Sequence, residues 1–232
     1  MRRKCRWPAL AMLLAAAGGV PLRAAGAEPG GQTTGRTAPV ISPGEKAQTA
    51  LFGIQAEGTK FVYVLDRSGS MGDPDGKPLA AAKAEILASL DRLDSLQQFQ
   101  VILYNEHPRI FSPTGEHGRL TFGTEQNKAE VRRFLAGIGA EGGTDHEEAV
   151  VAAIRMQPDA VFLMTDGDDP KLTARQLARI DRLGPGIIIH TVEFGVGRQR
   201  QAEGFLEKLA RQSGGEHVYV DSATGRAAGK DR

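Results

Sequence analysis

The segment Phe61–Met71 reads FVYVLDRSGSM and combines a buried type of strand with polar residues at its end. Its first five residues are aromatic, β-branched or aliphatic, and a short continuous run of this kind is typical of a strand covered on both faces. Asp66, Ser68 and Ser70 then follow at intervals of two residues. Residues two apart in an extended or gently curled segment point to the same side, so these three side chains can converge above the strand end.

The same pattern, a buried type of strand that runs into an aspartate, occurs again further along the chain. The stretch AVFLMT, from Ala160, is another buried type of strand, and it runs directly into Asp166. Further strands are predicted at FQVILYN, GIIIHTVEFGVG and HVYV, and between the strands apolar residues recur at helical spacings of three and four. This alternation predicts an α/β fold with a Rossmann-like, doubly wound, mainly parallel sheet flanked by helices. In such sheets ligands bind beyond the carboxyl ends of the strands, so Asp66 and Asp166 are expected on the binding edge.

Shorter patterns give weaker predictions around this framework. The sequence LFGI, Leu51–Ile54, predicts a short strand that pairs near the first long one. Thr173 and Gln176 have the spacing of a capping box at the start of a helix, and so have Thr144 and Glu147.

The N-terminal region predicts export. Residues 1–27 combine a basic start, a short apolar run and small residues before Glu28, which indicates a secretory signal peptide, with an uncleaved anchor as the alternative. Residues 28–48 are rich in Gly, Pro, Thr and Ser and predict a flexible linker. A folded domain is expected over 49–221, followed by a polar tail over 222–232. The expected location is the periplasm, the cell envelope or the exterior, with membrane attachment only if the N-terminal segment is uncleaved.

Charge and cysteine content exclude several classes of function. Loss of residues 1–27 removes five of the 29 basic residues and none of the 28 acidic ones, which leaves 24 against 28 and a net charge of −4. This net charge argues against nucleic acid as a partner, because neutralising phosphates requires a basic face. The one cysteine, Cys5, lies in the predicted signal, so disulfide and thiol chemistry are not expected in the exported chain. Of the histidines, His190 is expected in the core, and His146 is expected to be exposed at a helix start, with a position at the rim of the site as the alternative.

The polar residues at the sheet edge suit a hard cation. One carboxylate with two hydroxyls is an all-oxygen set of low charge, which favours Mg²⁺, with Mn²⁺ or Ca²⁺ as alternatives. Mg²⁺ prefers about six oxygen ligands, so further groups are required. Asp166 and Thr144, which ends the glycine-rich GGTD loop, stand at the right positions. Each of the five residues also has an ordinary turn or capping interpretation, but the five would have to coincide.

The sequences DRSGS, GGTD and TDG, in this order on alternating strands and helices, closely resemble the von Willebrand factor type A domain over roughly Leu51 to Asp221. The hallmark of that family is the metal-ion-dependent adhesion site. The resemblance implies that Ser68, Ser70 and Thr144 bind the cation through their hydroxyls, while Asp66 and Asp166 hold its waters and orient the hydroxyls. It also implies that a protein partner completes the coordination with a Glu or Asp carboxylate.

The resulting hypothesis is a non-enzymatic, cation-dependent binding module, expected to be monomeric. A metal-dependent phosphohydrolase is one alternative, but phosphohydrolases of the haloacid-dehalogenase type need a second aspartate where this chain has Ser68. A metal-free scaffold is the other alternative. Under the leading hypothesis, Asp66→Ala or Thr144→Ala is expected to abolish cation-dependent binding and to leave the fold near intact.

Overall fold

A computed structural model describes residues 46–115, 118–168, 170–197, 203–224 and 226–227. The predicted signal peptide and most of the predicted linker and tail lie outside these residues. The described residues all belong to one compact unit, 41–232. Among them there is no helix with both the length and the apolar character needed to cross a membrane.

Strands and helices alternate through the domain. The strands are β1 (Ala47–Leu51), β2 (Ile54–Gly58), β3 (Lys60–Asp66), β4 (Gln98–Tyr104), β5 (Pro108–Ile110), β6 (Thr121–Phe122), β7 (Ala160–Thr165), β8 (Ile188–Gly195), β9 (His217–Asp221) and β10 (Arg226–Ala227). The helices are α1 (Lys77–Leu90), α2 (Glu125–Ala136), α3 (His146–Ile154), α4 (Ala174–Leu183) and α5 (Phe205–Ser213). The Thr173–Gln176 capping box at the start of α4 is present as predicted.

The main sheet has the predicted doubly wound arrangement. Its strand order is β10-β9-β8-β7-β3-β4-β5, with β6 also paired to β4. The five central strands are parallel, and β5, β6 and β10 pair antiparallel at the margins. From β3 the chain moves to β4 on one side, whereas β7, β8 and β9 follow on the other side. The switch point therefore lies between β3 and β7, the two strands that end next to Asp66 and Asp166.

Alternation along β3 divides the core into two layers. Phe61, Tyr63 and Leu65 face a cluster that is completed by α1, α2 and the hairpin formed by β1 and β2. Val62 and Val64 face the opposite cluster, which is completed by α3, α4 and α5. All five side chains are fully buried, which is why the strand reads as a continuous apolar run. The helices on both faces leave the carboxyl ends of the strands as the edge available for a site.

The hairpin corrects the prediction for Leu51–Ile54. Leu51 ends β1 and Ile54 begins β2, so LFGI is the turn of an antiparallel hairpin and not a strand. Gly53 has φ +82° and Phe52 φ +48°, the left-handed conformations that tight hairpin turns use. The two strands form a separate sheet and pair only with each other within the described residues.

Two boundaries differ from the predicted domain organisation. β1 begins at Ala47, two residues inside the predicted linker, because Thr49 is buried and its hydroxyl bonds Ser89 on α1. β10 lies inside the predicted polar tail, where Arg226 and Ala227 pair with the end of β9. In both places, backbone pairing extends beyond the segment whose side chains are apolar.

His190 is buried in β8, as predicted for a core histidine. The residue is 5 % exposed, and its ring stacks on Phe162 with the ring centroids 5.2 Å apart. The Nδ1 atom accepts the Glu216 N–H at 3.0 Å, so this nitrogen carries no proton. Burial lowers the pKa of His190 from 6.5 to about 4. The folded domain therefore holds this imidazole neutral under conditions in which the unfolded chain protonates it.

We expect this histidine to make the domain less stable in mild acid. Its stabilising contribution is complete above the unfolded pKa of 6.5 and is lost as the pH falls toward the folded value of about 4. The loss reaches about 3 kcal/mol of unfolding free energy at most. His190→Asn retains an acceptor for the Glu216 N–H but cannot titrate in this range, so this variant should show a flatter stability profile. Denaturant unfolding at several pH values between 7 and 4 measures the effect.

The matched control is His107→Asn, because the His107 side chain is 86 % exposed. This variant should keep the pH dependence of the unmodified domain. Equal pH dependence in His190→Asn and in the unmodified domain would contradict the assignment.

Candidate metal centre

Asp66 is fixed at the carboxyl end of β3 by two hydrogen bonds. Its Oδ1 accepts the backbone N–H of Ser68 at 2.8 Å, and its Oδ2 accepts the hydroxyl of Thr165 at 2.6 Å. The residue is completely buried. A buried carboxylate with both oxygens engaged has a defined orientation, and its charge requires compensation from its surroundings.

Ser68 and Ser70 stand together on the turn that follows Asp66. Gly69–Gly72 form one short 3₁₀ turn, which curls the chain after Ser68. The two serine Oγ atoms are 3.3 Å apart, and Ser68 is only 2 % exposed. The prediction that alternate residues after β3 converge on one side therefore agrees with this geometry.

Asp166 meets the same cluster from β7. It is half-buried, its Oδ1 accepts the Asp168 N–H at 3.3 Å, and it is hydrogen-bonded to the Ser70 side chain. Burial raises the pKa of Asp166, the hydrogen bond from Ser70 acts in the opposite direction, and the charge of Asp66 raises it further. The two carboxylates are therefore close enough to repel one another, as predicted for strands that end on either side of a switch point.

The loop that carries Thr144 is drawn onto the serine turn. Gly69 donates its N–H to the Gly142 carbonyl at 3.0 Å. Gly142 has φ +78°, a left-handed conformation that favours glycine at this position. Thr144 itself is half-buried, and its hydroxyl makes no hydrogen bond to any residue that the structure describes.

The capping interpretation of Thr144 is wrong. The N-cap of α3 is Asp145, whose Oδ1 accepts the Glu148 N–H at 3.2 Å. The backbone N–H of Asp145 in turn bonds the Asn105 carbonyl at 2.7 Å, which fixes the loop to the end of β4. Because its neighbour caps the helix, Thr144 keeps its hydroxyl available for another role.

The chemistry of this cluster fits a hard divalent cation. It offers carboxylate and hydroxyl oxygens and no nitrogen or sulfur, the ligand type that Mg²⁺ prefers. A bound cation would offset the electrostatic repulsion between the carboxylates of Asp66 and Asp166. Across the described residues there is no group of three or more His, Cys, Asp or Glu side chains arranged to hold a metal, so any site here depends on hydroxyl ligands.

Three residues besides the five predicted ligands and supporting groups surround Asp66. Tyr104 ends β4 directly opposite Asp66 in the parallel register, and its hydroxyl bonds His146 Nδ1 at 2.8 Å. Burial, with the charge of Asp66, holds the pKa of Tyr104 well above its ordinary value, so the hydroxyl remains a donor. Thr165 bonds Asp66 directly. The parallel pairing of FVYVLD with FQVILY is the sequence signal that places Tyr104 here.

The prediction that His146 is exposed is also wrong. The residue is 1 % exposed, with its ring 5.8 Å from that of Tyr104 and 5.1 Å from that of Phe205 on α5. Burial lowers the pKa of His146, so the ring is neutral near pH 7. It is the first residue of α3, and the helix turns its first side chain inward against α5.

An open groove of about 900 Å³ begins at Ser70 and Asp166. Phe205 and Leu206 of α5 contribute apolar surface to it, and Val196, 70 % exposed, lies on its lining. The candidate site thus adjoins a surface that has both polar and apolar character.

Comparison with known proteins is consistent with this fold. A family model for the von Willebrand factor type A domain matches residues 61–168. An uncharacterized protein of Synechocystis, sll0103, is 25 % identical over 168 residues, a match that covers 68 % of this chain and 37 % of that protein. This chain therefore spans well under half the length of that relative.

Solved structures give the same result for the fold. A von Willebrand factor type A protein from Catenulispora acidiphila superposes with a TM-score of 0.62 at 23 % identity, covering 79 % of this chain and 48 % of that one. Proximal thread matrix protein 1 from the mussel byssus, in a structure whose MIDAS motif is occupied by zinc, gives 0.53 at 14 % identity, with 77 % and 46 % covered. Both likenesses concern the fold alone. Residues 61–168 thus match the von Willebrand factor type A family model, and the solved structures show that the chain has the fold of that domain.

Proposed function

We propose that the domain is a non-enzymatic binding module whose affinity for a protein partner depends on a divalent cation, with Mg²⁺ the expected ion. Ser68, Ser70 and Thr144 would supply hydroxyl ligands, and Asp66 and Asp166 would hold coordinated waters and orient the hydroxyls. The bound cation would supply a positive centre that a Glu or Asp carboxylate of the partner completes.

One observation carries this proposal. Three separate segments, after β3, before α3 and after β7, contact one another at the carboxyl ends of the strands, and the side chains proposed as ligands on them carry only oxygen. The Gly69–Gly142 and Ser70–Asp166 contacts join these segments in pairs. The Thr144 hydroxyl is not used in capping α3, which leaves it available as a ligand.

The charge of the site agrees with a carboxylate partner. Two carboxylates roughly cancel one divalent cation, so an incoming carboxylate meets an open coordination position without strong net repulsion. The groove beside Asp166 gives space for neighbouring residues of the partner. The mussel byssus protein, which has a similar fold, carries a zinc-occupied MIDAS motif, and this supports metal binding by the present domain. The predicted signal peptide supports a role outside the cytoplasm.

Thr144→Val is expected to abolish cation-dependent capture of the partner. Valine has the shape of threonine but lacks the hydroxyl. No described residue loses a hydrogen bond when this hydroxyl is removed. Residues 28–232 are immobilised and exposed to envelope and secreted extracts of the source cells in Mg²⁺ or in EDTA. A protein retained by the unmodified domain in Mg²⁺, and absent from both the EDTA arm and the Thr144→Val arm, is the expected result.

The matched control is Thr121→Val on β6, which pairs with the opposite end of β4 from the site. This variant should retain the partner as the unmodified domain does. Equal capture by Thr144→Val and the unmodified domain in Mg²⁺ would rule out the proposed role of the hydroxyl.

A further inference from the structure

Arg67 lies between the proposed cation-binding residues, yet its side chain reaches the neighbouring loop. Its Nη1 donates to Glu141 Oε1 at 2.6 Å, across 74 residues of sequence. The Arg67 side chain is 14 % exposed, whereas that of Glu141 is 72 % exposed. A mostly buried guanidinium thus depends on a carboxylate at the surface.

The backbone joins the same two residues a second time. Glu141 donates its N–H to the Arg67 carbonyl at 2.8 Å, and Arg67 donates its own N–H to the Tyr104 carbonyl at 2.8 Å. Arg67 is therefore hydrogen-bonded to the end of β4 and to the loop before α3. Arg67 directly precedes Ser68, and Glu141 lies three residues before Thr144.

Two further hydrogen bonds join the loop before α3 to residues that follow β4. The Glu141 carbonyl accepts Asn105 Nδ2 at 3.2 Å, and the Gly143 N–H bonds a Glu106 carboxylate oxygen at 2.5 Å. Among the contacts described above, two sets join this loop directly to the serine turn. One is the Gly69–Gly142 hydrogen bond, and the other is the pair of bonds between Arg67 and Glu141.

The energetics of this pair differ from those of an ordinary surface pair. An exposed pair contributes little because water screens it and both side chains lose rotamer freedom. Here the Arg67 Nε is buried without a hydrogen-bond partner among the described residues, so Nη1 is the group through which Glu141 compensates the charge. Removing Glu141 would leave a largely desolvated cation without its partner, which is costly.

We infer that Arg67 is a positioning residue, which clamps the loop 137–145 against the serine turn and so sets the position of Thr144. This inference rests on the proposed function, because the position of Thr144 matters only if its hydroxyl binds the cation. Metal-binding groups require supporting contacts that hold them to within about 0.5 Å of the productive geometry. Glycines at 137, 139, 142 and 143 give this loop little intrinsic stiffness. Side-chain clamping is therefore the available means of ordering it.

The clamp itself is tested by hydrogen exchange without metal. Arg67→Ala should raise the exchange rate of the Glu141 and Gly69 amides by about tenfold, because both amides bond across the two loops. Arg133→Ala is the matched control, since it removes an Arg–Glu pair of 2.7 Å on the surface of α2. Unchanged exchange of both amides in Arg67→Ala would overturn the clamp whether or not the domain binds a cation.

The consequence for the site is tested by Mg²⁺ titration calorimetry on the same proteins. Arg67→Ala and Glu141→Gln should each weaken Mg²⁺ binding by about tenfold, the lower end of the range for residues that support metal ligands. The double variant should be no weaker than either single variant, because one interaction is lost in each case. Arg67→Lys, which retains the charge and one donor, should recover part of the affinity.

Additive losses in the double variant, or unchanged affinity in Arg67→Ala, would overturn the positioning role. Failure of the unmodified domain to bind Mg²⁺ would overturn the proposed function instead, and the role of Arg67 at the cation site with it. The exchange experiment would then still decide whether the clamp exists.

Discussion

Asp66→Asn should abolish the stabilisation of the domain by Mg²⁺ while leaving the metal-free domain about as stable as before. A ligand that binds only the folded state at about 100 times its dissociation constant adds about 2.7 kcal/mol to the unfolding free energy. In the unmodified domain we expect this increment. The substituted asparagine would lack the charge that balances the cation, so the increment should vanish. Thermal unfolding in Mg²⁺ and in EDTA measures both quantities.

The choice of asparagine follows from the burial of Asp66. The sequence alone suggested that Asp66→Ala would leave the fold near intact. However, Asp66 is fully buried and accepts hydrogen bonds from Ser68 and Thr165. Alanine would leave both donors unsatisfied, at about 1–3 kcal/mol each. Asparagine can accept from the Ser68 N–H, and it removes the repulsion with Asp166. A change of less than about 1 kcal/mol is therefore expected without metal.

Asp75→Asn provides the control for general loss of negative charge. Asp75 is exposed and has φ +56°, a conformation that asparagine tolerates. This variant should retain the full stabilisation by Mg²⁺. If Asp66→Asn were stabilised by Mg²⁺ as much as the unmodified domain, the cation would have to bind elsewhere.

The sequence was sufficient to predict the main sheet and much of the candidate site, for a specific physical reason. Strands buried on both faces read as unbroken apolar runs, so the aspartates that end β3 and follow β7 stand out. Parallel topology then brings both carboxyl ends to one edge. Spacing by two places Ser68 and Ser70 together, and the structure agrees.

The start of α3 could not be predicted from local sequence patterns. Thr144 and Asp145 are both good N-cap residues, and both are followed at the third position by a glutamate. Which one caps the helix depends on the bond from the Asp145 N–H to the Asn105 carbonyl, a contact across 40 residues. The same one-residue shift makes His146 the first helical residue. No local periodicity indicates that its side chain turns inward onto Tyr104 and Phe205.

Sequence patterns do not identify the hairpin, because its strands are short and carry few large apolar residues. Each strand has five residues, and only Leu51, Ile54 and Ala56 among its apolar side chains are buried. Thr49 is buried as well, through its bonds to Ser89, and the Ser89 hydroxyl also meets the Tyr63 hydroxyl at 2.7 Å. A threonine in that position reads as polar, so the inward face of β1 cannot be recognised without its partner on α1.

Leu51→Ala should lower the unfolding free energy of the domain by about 2–5 kcal/mol, the usual cost of truncating a fully buried leucine. Leu51 is 0 % exposed and packs in the same core layer as Phe61 and Ile86. The family model begins at residue 61, so this prediction makes a segment outside the matched region part of the folding unit. Chemical denaturation, with the midpoint and the slope fitted separately, measures the loss.

Gln55→Ala is the matched control because Gln55 lies on β2 of the same hairpin and is exposed. A change within about 0.5 kcal/mol is expected there, since an exposed side chain without special contacts contributes little. A loss in Leu51→Ala as small as that in Gln55→Ala would mean that the hairpin is an accessory to the domain. A large loss would instead show that the inner face of the hairpin completes the core beneath β3, the strand that ends at Asp66.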